Sequence, residues 1–305
     1  MQKAFPVEER GASGLGSTLT AYVNLMKPHV TVLLLGVTLA AMVVALGGTP
    51  PLGVTLATLL GGALAAGSAN AINCYWDRDI DEVMSRTRTR MIPAGRVEPR
   101  NALIFGVGIG ALSVLIFARW VNWASALLAL GAILFYVLVY TMWLKRTTAQ
   151  NIVIGGAAGA VPALIGWAAV APLRWDATLW TPLLMFTVIF LWTPPHFWAL
   201  SLVLKKDYAR AGVPMLPVVK GEAETYRQIF WYTLALVASS LLLVVSGGMG
   251  YLYLACALAF GSGLIVLAVW LGRKRTLKSA RTMFWFSNYY LALMFAAMAL
   301  DRIFR

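Results

Sequence analysis

Nine apolar runs dominate the hydrophobic pattern, near residues 30–48, 53–72, 102–118, 123–143, 152–171, 178–200, 229–246, 251–271 and 283–300. Each approaches the roughly 20 residues with which an α-helix crosses a hydrocarbon core of about 30 Å. Turn-forming residues separate the runs. Gly47-Gly48-Thr49-Pro50-Pro51 follows the first and Gly247-Gly248 the seventh, and such sequences favour turns over continued helix. The pattern predicts an all-α membrane protein of nine transmembrane helices in one domain over residues 29–305. Residues 1–28 contain Glu8, Glu9 and several glycines but no apolar core, so they do not resemble a cleaved signal peptide. They are expected to form a cytosolic N-terminal lead that is flexible at its start.

One polar interruption stands out, over residues 70–99. Asp77, Asp79, Asp81 and Glu82 lie within six positions and are followed by Arg86, Arg88 and Arg90. Asn73, Asp77 and Asp81 are spaced i, i+4, i+8, so on an α-helix they fall within about 80° of one another. Three oxygen ligands on one face suit Mg²⁺, which binds few carboxylates and takes further ligands from substrate phosphates. Arg86 and Arg90 would supply partners for a diphosphate. An ordinary solvated loop has no reason to gather its oxygens on one helical face.

Composition agrees with the membrane reading: 60% of residues are hydrophobic and 12% charged, with mean hydropathy +0.76, whereas soluble chains average about 25% charged. A formal net charge of +13 raises the question of nucleic acid, but its distribution gives another answer. With nine spans, 21 of the 25 Lys and Arg fall on the side of the N-terminus and four (Arg119, Arg174, Arg302 and Arg305) on the other. By the positive-inside rule the N-terminus is cytoplasmic and the C-terminus outside. The excess charge then reflects topology, with the run Arg273-Lys274-Arg275 meeting anionic lipid, and no nucleic-acid partner is expected. Cys74 and Cys256 lie in or beside apolar runs without CxxC spacing and point to neither a disulfide framework nor zinc.

A second polar constellation ends the sixth run: Pro194-Pro195-His196-Phe197-Trp198, then Lys205-Lys206-Asp207-Tyr208. Two prolines in an apolar run interrupt the backbone ladder, which a membrane tolerates where protein or a cavity satisfies the freed groups. A histidine at membrane depth is a functional candidate by default. Asp207 is the other acidic group expected at this membrane edge, where Asn24 and Lys27 also lie. His29 reads equally as a headgroup neighbour or a ligand. Small residues in the second and fifth runs, such as Gly61-Gly62-Ala63 and Gly155-Gly156-Ala157, point to close helix packing.

The Asn73-x3-Asp77-x3-Asp81 motif resembles the first aspartate-rich motif of the UbiA superfamily of intramembrane prenyltransferases. The longer strings Asn73-Cys-Tyr-Trp-Asp-Arg-Asp-Ile-Asp81 and Pro194-Pro195-His196-Phe197-Trp198 resemble its haem-farnesylating branch, as does Gly212-Val213-Pro214-Met215. The resemblance spans about residues 20–300. It implies nine helices around a central cavity, and transfer of a farnesyl group from farnesyl diphosphate to the vinyl group of haem B with addition of water. Haem B would be a substrate and Mg²⁺ would arrive with the diphosphate. The implied metal ligands are Asn73, Asp77, Asp81 and Asp207; Arg86, Arg90, Lys27 and Lys206 would hold the diphosphate. His196 would ligate haem iron or position haem or water. A location in the plasma (inner) membrane follows, with haem A synthase or a terminal oxidase as conceivable partners.

One departure matters. The superfamily's second motif usually carries several aspartates, whereas this chain has His196 and Lys205-Lys206-Asp207 there. A vinyl acceptor attacks through its π electrons and needs no carboxylate base, unlike a phenolic one. That weighs against the alternative, a quinone or chlorophyll-type acceptor. A transporter would show charges buried in mid-span and paired broken helices; here the charges gather at one membrane face.

Overall fold

The computed structural model describes residues 14–305. The expected flexible start of the lead lies outside the described residues. The rest of the lead is helical: α1 (Leu15–Leu25) precedes the first span. The nine helices long and apolar enough to cross a membrane among the described residues follow the predicted runs. They are α2 (Pro28–Leu46), α3 (Leu52–Trp76), α5 (Pro99–Trp120), a fourth built in three parts, α8 (Asn151–Val170), α9 (Trp180–Val203), α12 (Gly221–Val245), α13 (Tyr251–Lys274) and α14 (Leu277–Ile303). The fourth begins as α6 (Trp123–Leu134), continues as a π-helix over Phe135–Leu144 and closes with one α-turn, α7 (Lys145–Thr147). Short helices α4 (Arg78–Val83), α10 (Lys205–Arg210) and α11 (Leu216–Val219) lie between spans at the basic end.

Each span packs on the next in chain order, and α14 returns to α2, so the nine helices close a ring. Contacts of α2 with α8 and of α9 with α14 fill its interior. Lipid tails are as apolar as leucine, so close approach rather than hydrophobic exclusion holds such helices together. Glycines provide it. A Cβ on Gly106 or Gly110 of α5 would strike Ile72 or Ser68 of α3, and one on Gly156 of α8 would strike Thr193 of α9. The expected packing role of small residues thus appears at Gly61, which meets Phe117, and at Gly155 and Gly156, while Gly159 faces open space.

α9 differs from expectation. It runs through Pro194 and Pro195 as one continuous helix, with both rings buried. The missing N–H donors do not end it, because neighbouring helices pack tightly around this segment.

At the end of the ring away from α4 and α10, the carboxylate of Asp301 on α14 accepts hydrogen bonds from the backbone N–H groups of Gly250 (2.6 Å) and Tyr253 (3.1 Å). A buried carboxylate thus caps α13, where the helix dipole favours negative charge. Asp301→Ala is expected to cost about 2 kcal/mol by orphaning two donors. A lowered thermal midpoint in detergent, with unchanged activity per folded molecule, is the result to look for.

Candidate active site at the basic end of the ring

The last turns of α3 deliver Asn73 to the basic end. Asp77 sits at φ −88°, ψ 10° between α3 and α4, and Asp81 lies on α4. The expected single helix is therefore interrupted at Asp77. Its hydrogen bonding is not: Asp77 N donates to Asn73 O at 2.9 Å and Asp81 N to Asp77 O at 2.8 Å. All three side chains are buried.

Their oxygens are bound into a charged network. Asn73 Nδ2 donates to Asp77 Oδ2 (2.6 Å) and to Thr141 Oγ1 (3.2 Å), while Asn73 Oδ1 accepts from Lys27 Nζ at 3.1 Å. Asp77 Oδ2 also pairs with Lys145 Nζ. Both oxygens of Asp81 accept from Arg90 Nη1, at 2.9 and 2.8 Å. Asp79 on the exposed side receives Arg146 through two bonds of 2.7 and 2.8 Å, and this pairing holds its carboxyl down to about 2. Lys27 is held in the left-handed region at φ 52°, ψ 61°, where residues with a side chain are uncommon and strain often marks a functional position. Burial lowers its ammonium pKa to about 8.

One atom lacks a donor. Asp77 Oδ1 is buried without a hydrogen bond, and Arg146 Nη2 stands 3.5 Å from it. A buried acceptor left unpaired is costly, and a hard cation would satisfy it. Two carboxylates and an amide oxygen thus fit Mg²⁺ by ligand type and by this orphaned oxygen. Among the described residues no three His, Cys, Asp or Glu side chains converge in a metal-binding group, so Asn73 is needed to complete the set.

Asp207 reaches the network indirectly. It accepts from Ser85 Oγ at 2.5 Å and pairs with Arg210, and the Ser85 bond holds its carboxyl below the usual range. Ser85 lies in the polar stretch 70–99, so this bond ties the two polar constellations together across 122 residues. The Arg86 guanidinium lies close to the Tyr208 phenol. Lys206 is exposed and makes no ion pair among the described residues, while its neighbour Lys205 pairs with Glu222. His29 and Asn24 are exposed near the junction of α1 and α2.

His196 is set apart, buried between α9 and α14. Its ring stacks on Trp192 (centroids 4.2 Å apart) and on Phe284 (4.5 Å), and its Nδ1 lies 2.8 Å from Ser287 Oγ.

The sequence reading missed Thr141, Lys145, Arg146 and Ser85. Lys145-Arg146 counted there only toward topology, although two cations beside a run that ends near an acidic motif carried a hint. The π-helix was not predicted. Its i→i+5 register sets Tyr136 above Thr141 and Tyr140 above Lys145, a register that places Thr141 and Lys145 along the wall facing Asn73 and Asp77. Tyr140 in turn lies so close to Gly155 of α8 that a Cβ there would enter its ring.

Lys145→Met is expected to leave the Asp77 carboxylate buried with its close ion pair gone. The cost is about 3 kcal/mol, seen as a lowered thermal midpoint that Mg²⁺ with diphosphate partly restores.

A model of the UbiA prenyltransferase family matches residues 34–297. A protein named protoheme IX farnesyltransferase from Symbiobacterium thermophilum is 54% identical over 289 residues, covering 94% of this chain and 95% of the relative. Another of that name, from Gloeobacter violaceus, is 52% identical over 299 residues, covering 97% and 96%. Among solved structures, a UbiA homolog from Archaeoglobus fulgidus bound to DMAPP and Mg²⁺ aligns with TM-score 0.65 at 16% identity, over 92% of this chain and 98% of that one.

Proposed function

The chain belongs to the UbiA prenyltransferase family, and from that membership we propose that it transfers the farnesyl group of farnesyl diphosphate to the vinyl group of haem B. Water adds to the same vinyl unit, giving haem O, and diphosphate leaves. The observation that carries this reading is identity above 50% along nearly the whole chain with two relatives bearing that activity in their names.

In this reading Asn73, Asp77, Asp81 and Asp207 would hold Mg²⁺, which when bound would supply positive charge against the diphosphate. The chain's own cations do the rest of the electrostatic work. Arg90, Lys27 and Lys145 surround the carboxylates and take up diphosphate oxygens, while Arg86 and Lys206 approach from the outer side. Such fixed charges stabilise the charge that develops as the allylic C–O bond breaks. The farnesyl tail lies among the apolar helices. The vinyl π electrons attack C1 of the farnesyl group, the carbon that loses the diphosphate, and the porphyrin stabilises the resulting cation until water adds and gives up a proton. His196 serves the haem side of the reaction.

The basic end of the ring faces the cytoplasm by charge distribution, in a bacterial plasma (inner) membrane, with residues 29–305 acting as one domain. Haem A synthase or a terminal oxidase would be the consumer of the product and a candidate partner.

The test is incubation of purified protein with haem B, farnesyl diphosphate and Mg²⁺, with pigments read by chromatography and mass spectrometry. A farnesylated, hydrated haem that vanishes on chelation is the expected result. Diphosphate release with an aromatic acceptor and no haem product would overturn the acceptor while keeping the metal site.

A further inference from the structure

His196 is held from four directions. Trp192 and Phe284 cover its two faces, with interplanar angles of 18° and 25°. Phe197 meets it edge-on with centroids 5.4 Å apart. Ser287 Oγ stands 2.8 Å from Nδ1. The partner is itself fixed, because the Ser287 backbone carbonyl accepts from Trp192 Nε1 at 2.6 Å. A ring restrained on both faces and at one nitrogen cannot turn without dismantling the contact between α9 and α14.

The hydrogen-bond roles follow from counting protons. Ser287 has one hydroxyl proton, and Oγ lies 2.7 Å from the carbonyl oxygen of Phe284, a group that can only accept. With its proton directed there, Ser287 Oγ faces His196 as an acceptor. In that arrangement Nδ1 carries the hydrogen. No carboxylate is bonded to the ring, and in a neutral imidazole with Nδ1–H the other nitrogen, Nε2, holds a lone pair. Nε2 makes no hydrogen bond among the described residues, yet it is not among the sealed, partnerless atoms. It therefore keeps some accessible surface, although the residue as a whole is buried.

We propose that Ser287 is a positioning residue that locks His196 as the Nδ1–H tautomer and so presents the Nε2 lone pair to an electrophile on the haem side of the reaction. This inference rests on the proposed haem reaction. The electrophile is the haem iron or a proton of the adding water. In the second case the water oxygen forms its bond to the vinyl-derived cation while Nε2 takes the proton released, and the hydroxyl stays on carbon. The buried ring of Trp192 and the half-buried ring of Phe284 limit the access of bulk water to the same nitrogen.

The chain has two histidines, His29 and His196, so an imidazole ¹⁵N spectrum of histidine-labelled protein holds two sets of signals, and a His29→Gln sample assigns them. The expected result is an Nδ1–H, Nε2-unprotonated signature for His196 in the wild type and in Ser287→Thr. In Ser287→Ala it should become a mixture of tautomers. Turnover of haem should fall about tenfold or more in Ser287→Ala, the usual scale for removing a group that orients a ligand, with KM for farnesyl diphosphate unchanged and with recovery in Ser287→Thr. A shift of the Soret band on adding haemin that is lost in His196→Ala would identify iron as the electrophile. Slowed turnover in His196→Ala with an unaltered spectrum would identify the water. An Nε2–H signal in the wild type, or a Ser287→Ala protein with unchanged tautomer and turnover, overturns the proposal. Absence of any haem product from the wild type would instead count against the haem reaction, and the ¹⁵N spectrum remains decisive for the tautomer.

Discussion

Replacing Asp81 with alanine is expected to cut haem farnesylation by about a thousandfold, the scale of losing a principal electrostatic stabiliser of the transition state, while the protein still inserts and folds. Asp81 is 1% exposed and holds Arg90 through both carboxylate oxygens. Breaking such a pair destabilises a fold when it strands a buried charge. Here the survivor is the arginine, whose side chain is 24% exposed and able to reach water. The backbone carbonyl of Asp81 keeps its bond from Thr87 Oγ1 at 3.1 Å whatever side chain it carries, so the local turn persists. In the proposed metal site catalysis has no such alternative, because Asp77 and Asn73 alone would present too little negative charge for Mg²⁺. Asp81→Asn separates charge from shape, and it should lose nearly as much activity with almost none of the stability. Single-turnover pigment formation alongside gel filtration makes the measurement. Near-normal turnover in a folded Asp81→Ala protein would end the metal assignment.

The largest effect on folding is expected at Gly166. An ideal Cβ there would run into the backbone carbonyl of Thr38 on α2 and stand 2.9 Å from the Ala41 side chain. Alanine favours a helix over glycine by about 1 kcal/mol, and at Gly159, where nothing lies within 4 Å, Gly→Ala should be neutral or mildly stabilising. At Gly166 the clash wins, because the obstacle is main chain of a neighbouring helix and cannot swing aside. Gly166→Leu should cost roughly 4 kcal/mol, at the diagnostic end of single-residue effects. α2 and α8 meet inside the ring, so separating them disturbs the interior rather than the lipid-facing surface. Thermal midpoints and yields in detergent, with Gly159→Ala as comparison, decide the matter; equal midpoints would show that α2 and α8 can slide apart at little cost.

The spans were legible because a bilayer imposes a length on every helix that crosses it. Their ends were less so. α3 continues to Trp76 and α12 begins at Gly221, beyond the apolar runs at 53–72 and 229–246. Hydrophobicity marks the thickness of hydrocarbon, while helical hydrogen bonding continues into the polar margin. α1 was hidden because its 11 residues are too few to register as a span. The cluster of Asn73, Asp77 and Asp81 was legible from local spacing, since helical neighbours can be read from positions alone. Its counter-ions were not. Lys145 meets Asp77 across 68 residues and Ser85 meets Asp207 across 122, distances over which a pattern carries no information. The prolines of α9 misled in a different way. Local chemistry forecast a disrupted helix, and burial against neighbouring helices kept it whole.

The π-helix makes chain length itself part of the candidate site. Its wall depends on five-residue spacing between Tyr136 and Thr141 and between Tyr140 and Lys145, so the segment tolerates changes of letter better than changes of count. Leu138 and Trp143, which face outward at 51% and 61% exposure, are free to drift among apolar residues. Loss of a single residue from 135–144 would rewind the segment toward an ordinary helix and turn Lys145 away from Asp77. For this stretch a gap in an alignment is a graver difference than several substitutions.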